Sequence, residues 1–178
     1  MNKRIALVTL SVFALTLLAC AQDDPSKRPS PPAKAECKLA SGKSATVNYS
    51  SPRAKGRKIY GGLVPFGKVW RTGANEATSL TTDTAFTVGG KDVPAGSYTL
   101  FTVPNADKWS LVISKKTGEW GVPYPGEGDD FARVDMQASK LGSPMENFTI
   151  NLKPSGNACN LQMDWENTRA SIDLTEKK

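Results

Sequence analysis

The chain contains no histidine and only three cysteines. The first absence removes the side chain that most often moves protons near neutral pH and most often ligates transition metals. Two thiols alone fall short of the four ligands of a structural zinc site, so neither a metal nor a cofactor is expected. A long amphipathic helical stretch is also missing, which argues against a helical bundle. Acid and base work would fall to carboxylates, with Glu76, Asp129 and Asp130 as candidates for a glycosidase-like pair. No spacing in the sequence brings them together. Glu127, Asp129 and Asp130 likewise lack the regular spacing of a calcium loop, and no motif pairs a serine with a lysine base. The inventory leans away from an enzyme.

What is present begins with Lys3 and Arg4, followed by an uncharged apolar stretch over residues 5–19. Basic then apolar is the order of a secretory signal peptide, and the stretch is shorter than the roughly 20 residues a helix needs to cross a bilayer. It ends in Leu17-Leu18-Ala19-Cys20, which resembles the lipobox of bacterial lipoprotein precursors. The resemblance implies a Cys20 thiol carrying diacylglycerol, removal of residues 1–19 and an acylated new amino terminus. A plain secretory signal with a cysteine near its cleavage site is the other reading. More than one acyl chain anchors stably, because at about 0.8 kcal/mol per buried methylene a single chain holds only reversibly. Ala21 and Gln22 stand where the inner-membrane retention signal has aspartate, so the expected place is the cell envelope, on the outer membrane and facing the periplasm.

With Cys20 acylated, Cys37 and Cys159 remain, and an even remainder outside the cytoplasm reads as a disulfide. The chain-entropy model gives so long a loop on the order of 4 kcal/mol, from which native strain subtracts. The formal charge of +6 suggests a nucleic-acid partner, yet from Cys20 onward 21 basic residues face 17 acidic ones, and from Ala45 onward 16 face 14. With that near balance, export and no recognition motif, nucleic acid is set aside.

Residues 20–44 are rich in Pro, Lys, Ser and Asp and carry scarcely a large apolar side chain. Such a segment buries too little to offset its ordering entropy and reads as a semi-extended tether. From residue 45 to 178 the texture changes to short β-branched and aromatic runs separated by Gly, Pro, Asn and Asp, which is how strands and turns read. Candidate strands are 45–49, 77–82, 85–88, 96–103, 109–114, 133–136, 148–152, 159–165 and 170–174. Gly89-Gly90-Lys91 supplies a tight hairpin, and Pro94-Ala95-Gly96 starts a strand whose neighbour returns after Pro104-Asn105-Ala106-Asp107. The expected fold is all-β: one antiparallel β-sandwich or jelly-roll-like domain.

Tyr49-Ser50-Ser51-Pro52-Arg53, then Gly56-Arg57-Lys58-Ile59-Tyr60-Gly61-Gly62-Leu63-Val64-Pro65-Phe66-Gly67-Lys68-Val69-Trp70-Arg71-Thr72-Gly73-Ala74-Asn75-Glu76-Ala77-Thr78, closely resemble the signature of the bacterial family called domain of unknown function 2911. Pro94-Ala95-Gly96-Ser97-Tyr98-Thr99-Leu100-Phe101 and Trp165-Glu166-Asn167 fit its later blocks. The resemblance implies an exported protein with a β-sandwich, and it supplies no catalytic residue.

Site candidates therefore rest on the residues themselves. Trp70, Arg71, Asn75 and Glu76 put an indole, a guanidinium, an amide and a carboxylate on one loop just before a strand. Either Arg71 and Glu76 pair as a clamp while Asn75 satisfies backbone amides, or the group faces a ligand. Arg53, Lys55, Arg57 and Lys58 form a basic run that is either a solvated loop or an anion cradle. Trp120 and Tyr124, with Trp109 and Phe131, offer rings that stack on sugars or close one end of the sandwich. The function expected is a membrane-anchored, non-catalytic module binding an envelope glycan, peptide or anionic ligand. The alternatives are a carboxylate-dependent hydrolase of envelope polymers and a structural lipoprotein that contacts another protein.

Overall fold

The structure, a computed structural model, describes residues 24–178. The expected signal peptide, Cys20 and the first residues of the expected tether lie outside the described residues. Nine strands follow in order: β1 (Pro32–Lys38), β2 (Ser44–Ser50), β3 (Ser79–Thr82), β4 (Phe86–Val88), β5 (Lys91–Val93), β6 (Gly96–Val103), β7 (Trp109–Ser114), β8 (Asp130–Ser155) and β9 (Ala158–Glu176). They form one sheet in the order β1-β2-β3-β6-β7-β8-β9-β4-β5, and every pairing between them is antiparallel.

The sheet does not close, but it folds over itself. The first part of β8 pairs with β7, Trp109 opposite Met136, and from Gln137 onward it pairs with β9. A strand that changes partners in this way makes the corner of a sandwich. Two links hold the facing layers together. Cys37 on β1 is bonded to Cys159 on β9, with Cα atoms 6.1 Å apart. The Tyr49 hydroxyl on β2 accepts from the Ile150 backbone N–H at 3.0 Å, and its ring meets Phe148 edge-on. The expected all-β, sandwich-like fold and the expected disulfide are both present.

Side-chain alternation explains which strands were legible. On β8, Ala132, Val134 and Met136 are buried while Arg133 and Asp135 are exposed, the period of two of a half-buried strand. The Gly89-Gly90 turn joins β4 to β5 with Val88 opposite Lys91, both glycines at positive φ (54° and 78°).

The tether needs correcting at its distal end. Residues 32–38, assigned to it from composition, form β1 and pair with β2 from Pro32 opposite Ser50 to Lys38 opposite Ser44. Their inward positions are small, Ala33, Ala35 and Cys37, alternating with Lys34, Glu36 and Lys38. Small inward residues hide the period in hydropathy, and Pro32 is tolerated because the strand lies at the sheet edge. The structure also adds the short β5 and carries β8 through residues 137–147, a stretch that does not read as strand because it is polar, includes Gly142 and Pro144, and buries nothing large.

Candidate functional site

The connection from β2 to β3 spans residues 51–78, and it is held by the sheet rather than by regular structure of its own. Trp70 and Thr102 exchange backbone hydrogen bonds at 2.8 and 2.9 Å, an isolated antiparallel bridge onto β6. Thr72 is buried at φ 56°, a conformation that strains a β-branched residue and persists only where its surroundings over-determine it. Those surroundings are on hand. Its hydroxyl meets that of Thr102 at 3.1 Å, and the Thr78 hydroxyl donates to the Thr72 carbonyl at 2.6 Å. Gly73 lies so near β2 that a Cβ there would be 2.9 Å from the Ser50 carbonyl oxygen.

The connection from β7 to β8 lies across this segment. The Ala77 N–H donates to the Glu119 carbonyl at 3.1 Å. Gly121, at φ 82°, sits so close that a Cβ would lie 2.9 Å from those of both Arg71 and Ala77. Further on, Tyr124 packs edge-on against Phe101, centroids 5.1 Å apart, and its hydroxyl donates to the Asp130 carboxylate, which also accepts from Arg133 at 3.1 Å. Burial, and next the hydrogen bond to Asp130, push the Tyr124 phenol up to about 12. It stays a neutral donor at physiological pH.

Between the two connections is a cavity of about 420 Å³. Trp165 of β9, 1% exposed, gives it a floor. That indole stacks on Trp70 with centroids 5.8 Å apart and planes 20° apart, and its Nε1–H donates to the Glu146 carbonyl at 3.1 Å. Trp70 in turn meets Phe148 edge-on at 5.0 Å. Aliphatic groups from Leu63, Val64, Val69 and Val122 complete the walls. The lining residues with polar side chains include Ser30, Arg57, Arg71 and Tyr124, and among the described residues no carboxylate takes part.

Arg71 is the anomaly of this site. It is half-buried, its Nε is shut away from solvent without a hydrogen-bond partner, and among the described residues no carboxylate pairs with it. A guanidinium held among apolar walls without an anion costs stability. Arg57, by contrast, is exposed and already donates to the carbonyls of Ala54 at 2.9 Å and Arg53 at 2.6 Å.

Of the six residues expected to bind a ligand, Trp70, Arg71 and Tyr124 converge on this cavity. The other three lie elsewhere. Asn75, at φ 54°, donates to the Ser30 carbonyl at 2.8 Å. Glu76 accepts from Arg28 at 2.8 Å, not from Arg71, and that hydrogen bond holds its carboxyl below the ordinary carboxylate range. Glu76 borders a more open hollow of about 430 Å³ over β1 and β2, with Lys34, Asn48 and Tyr49. Trp120 is 56% exposed and outside the cavity lining. Asp130 and Glu127, weighed for acid chemistry and calcium, face Arg133 at 3.1 and 3.5 Å. The structure adds Trp165 to the site and moves Arg57 from a basic run to the cavity lining. Both belong to the blocks that carry the family resemblance, which was the signal available for them.

Residues 30–174 match the family described as Protein of unknown function (DUF2911). No curated protein and no solved structure matches the chain.

Proposed function

The chain belongs to the DUF2911 family, a description that names no activity, and from the geometry of the cavity we propose a non-catalytic binding module for a small anionic ligand, carried on a membrane-anchored envelope lipoprotein. One observation carries the reading: Arg71 stands half-buried in an aromatic and aliphatic cleft, and among the described residues no carboxylate answers it. Concave, mostly apolar sites with a few fixed polar groups are where small molecules bind, and a cation kept at a cost in such a place is matched by a ligand's negative charge. The strained, over-held backbone of Thr72 beside it fits the same reading, because strain of this kind clusters at ligand clamps.

The anchoring half of the proposal rests on Leu17-Leu18-Ala19-Cys20. Hydrolysis is disfavoured because, among the described residues, no carboxylate lines the cavity. The test is native mass spectrometry of the full-length protein purified gently from bacterial envelopes. A small co-purifying anion is expected on the wild type and absent from Arg71→Ala. Its retention by Arg71→Ala, or its absence from the wild type, overturns the binding reading. Lipid mass on Cys20, lost in Cys20→Ser, checks the anchor separately.

A further inference from the structure

Resting on the binding reading above, we propose that the ligand is a singly charged carboxylate joined to an apolar body, its head group held by Arg71 and its body laid against Trp70 and Trp165. The charge count limits the head group. A dianionic phosphate in this cleft would find one half-buried cation, because the other lining arginine, Arg57, is exposed and its charge screened by water, with Nε and one amino group turned to the carbonyls of Ala54 and Arg53. With Nε of Arg71 closed off, the two terminal amino groups are left to meet a ligand, and that end of a guanidinium forms a two-pronged pair with one carboxylate. The neutral Tyr124 hydroxyl is committed to Asp130, so it adds no second charge.

The walls specify the body. Trp70, Trp165 and the aliphatic side chains of Val64 and Val69 leave little for sugar hydroxyls to bond, so a polyhydroxylated glycan would bury unsatisfied polar groups here. At the mouth, Leu63 and Val122 are 47% and 59% exposed. Apolar side chains left open to water at the entrance of a small cleft are the surface that the far end of an apolar ligand would cover. A volume of about 420 Å³ falls in the lower part of the range for small-molecule sites.

The experiment is isothermal titration calorimetry on detergent-solubilised full-length protein with five probes. Octanoate and 4-phenylbutyrate share the head group and separate an alkyl chain from a ring as its source of apolar surface. Acetate is the head group alone, octanamide the body without charge, and octyl phosphate the body with a dianion. At least one of the first two is expected to bind about tenfold or more tightly than acetate, octanamide and octyl phosphate. Arg71→Ala should weaken that carboxylate about tenfold and leave octanamide unchanged. Octanamide matching the carboxylates, or octyl phosphate or acetate exceeding them, overturns the proposal. If none of the five binds while an Arg71-dependent anion is found by mass on the wild type, this inference fails and the binding reading stands. If neither is seen, both fall.

Discussion

Two arginines divide the chemistry of this domain between them. Arg169 on β9 donates to both oxygens of Asp164, at 2.7 and 2.6 Å, and that carboxylate is 5% exposed. The hydrogen bond raises the Arg169 guanidinium above its ordinary range, and the pair is complete within the protein. Arg71 is likewise half-buried, but among the described residues no carboxylate pairs with it, and it lines a cavity floored by Trp165, the residue next to Asp164. A charge that the fold satisfies itself is a structural element. One that it leaves unanswered beside a cavity is an invitation to a ligand.

The comparison makes its strongest demand on Arg169→Ala. Removing the guanidinium strands a buried carboxylate, so the denaturant midpoint should fall by an amount equal to about 3 kcal/mol, at the low end for a broken buried pair because Arg169 is itself a third exposed. Ligand binding should survive in the fraction that folds. Gly121→Ala should come second, at about 1 to 3 kcal/mol, because the new methyl meets the Cβ atoms of Arg71 and Ala77 at 2.9 Å and the backbone there has φ 82°. It should also weaken binding by pushing the β7–β8 connection off Arg71. Unchanged stability would show that this connection is not held where it lies. Arg71→Ala should cost less than about 1 kcal/mol, since it leaves no partner behind, while weakening carboxylate binding about tenfold. A loss as large as that of Arg169→Ala would erase the distinction between the two arginines.

That distinction was only half legible in the sequence. The strands with clean alternation, such as the Ala132-Val134-Met136 face, and the Gly89-Gly90 turn could be read from local pattern. So could the disulfide, by cysteine arithmetic. Strand β1 escaped because its inward side chains are alanine and cysteine, and the continuity of β8 escaped because a strand turning a corner buries nothing on the way. At the site, the loop from Trp70 to Glu76 was singled out by its mixture of chemistries, which says nothing about where each side chain faces. Positive φ at Thr72 and Asn75 turns the chain twice within four residues, sending Arg71 into the cavity lining and Glu76 to Arg28. Of the two readings of this loop, the Arg71–Glu76 clamp is absent from the structure. Trp165, almost a hundred residues away in sequence, joins the site only through the fold.

The smallest effect belongs to Glu76, and it tests the partition from the other side. Arg28 donates to its carboxylate at 2.8 Å and lowers its pKa from the ordinary 4.5. A carboxyl whose folded value is depressed adds stability above its unfolded value and loses it as pH falls through the folded one. The advantage of wild type over Glu76→Gln should therefore be present at pH 7 and be lost as pH falls from the ordinary 4.5 through the lowered folded value. Because Glu76 is 55% exposed, solvent screening holds that advantage to a few tenths of a kcal/mol, the range of exposed ion pairs. Denaturant midpoints of both proteins at pH 7 and pH 3 measure it. A double-mutant cycle between Arg71 and Glu76 should give coupling below about 0.3 kcal/mol, the additivity expected of residues without a shared partner. Coupling of 1 kcal/mol or more would mean that Glu76 does answer Arg71 in solution. The cavity would then hold a satisfied charge, and the case for an anionic ligand would lose its premise.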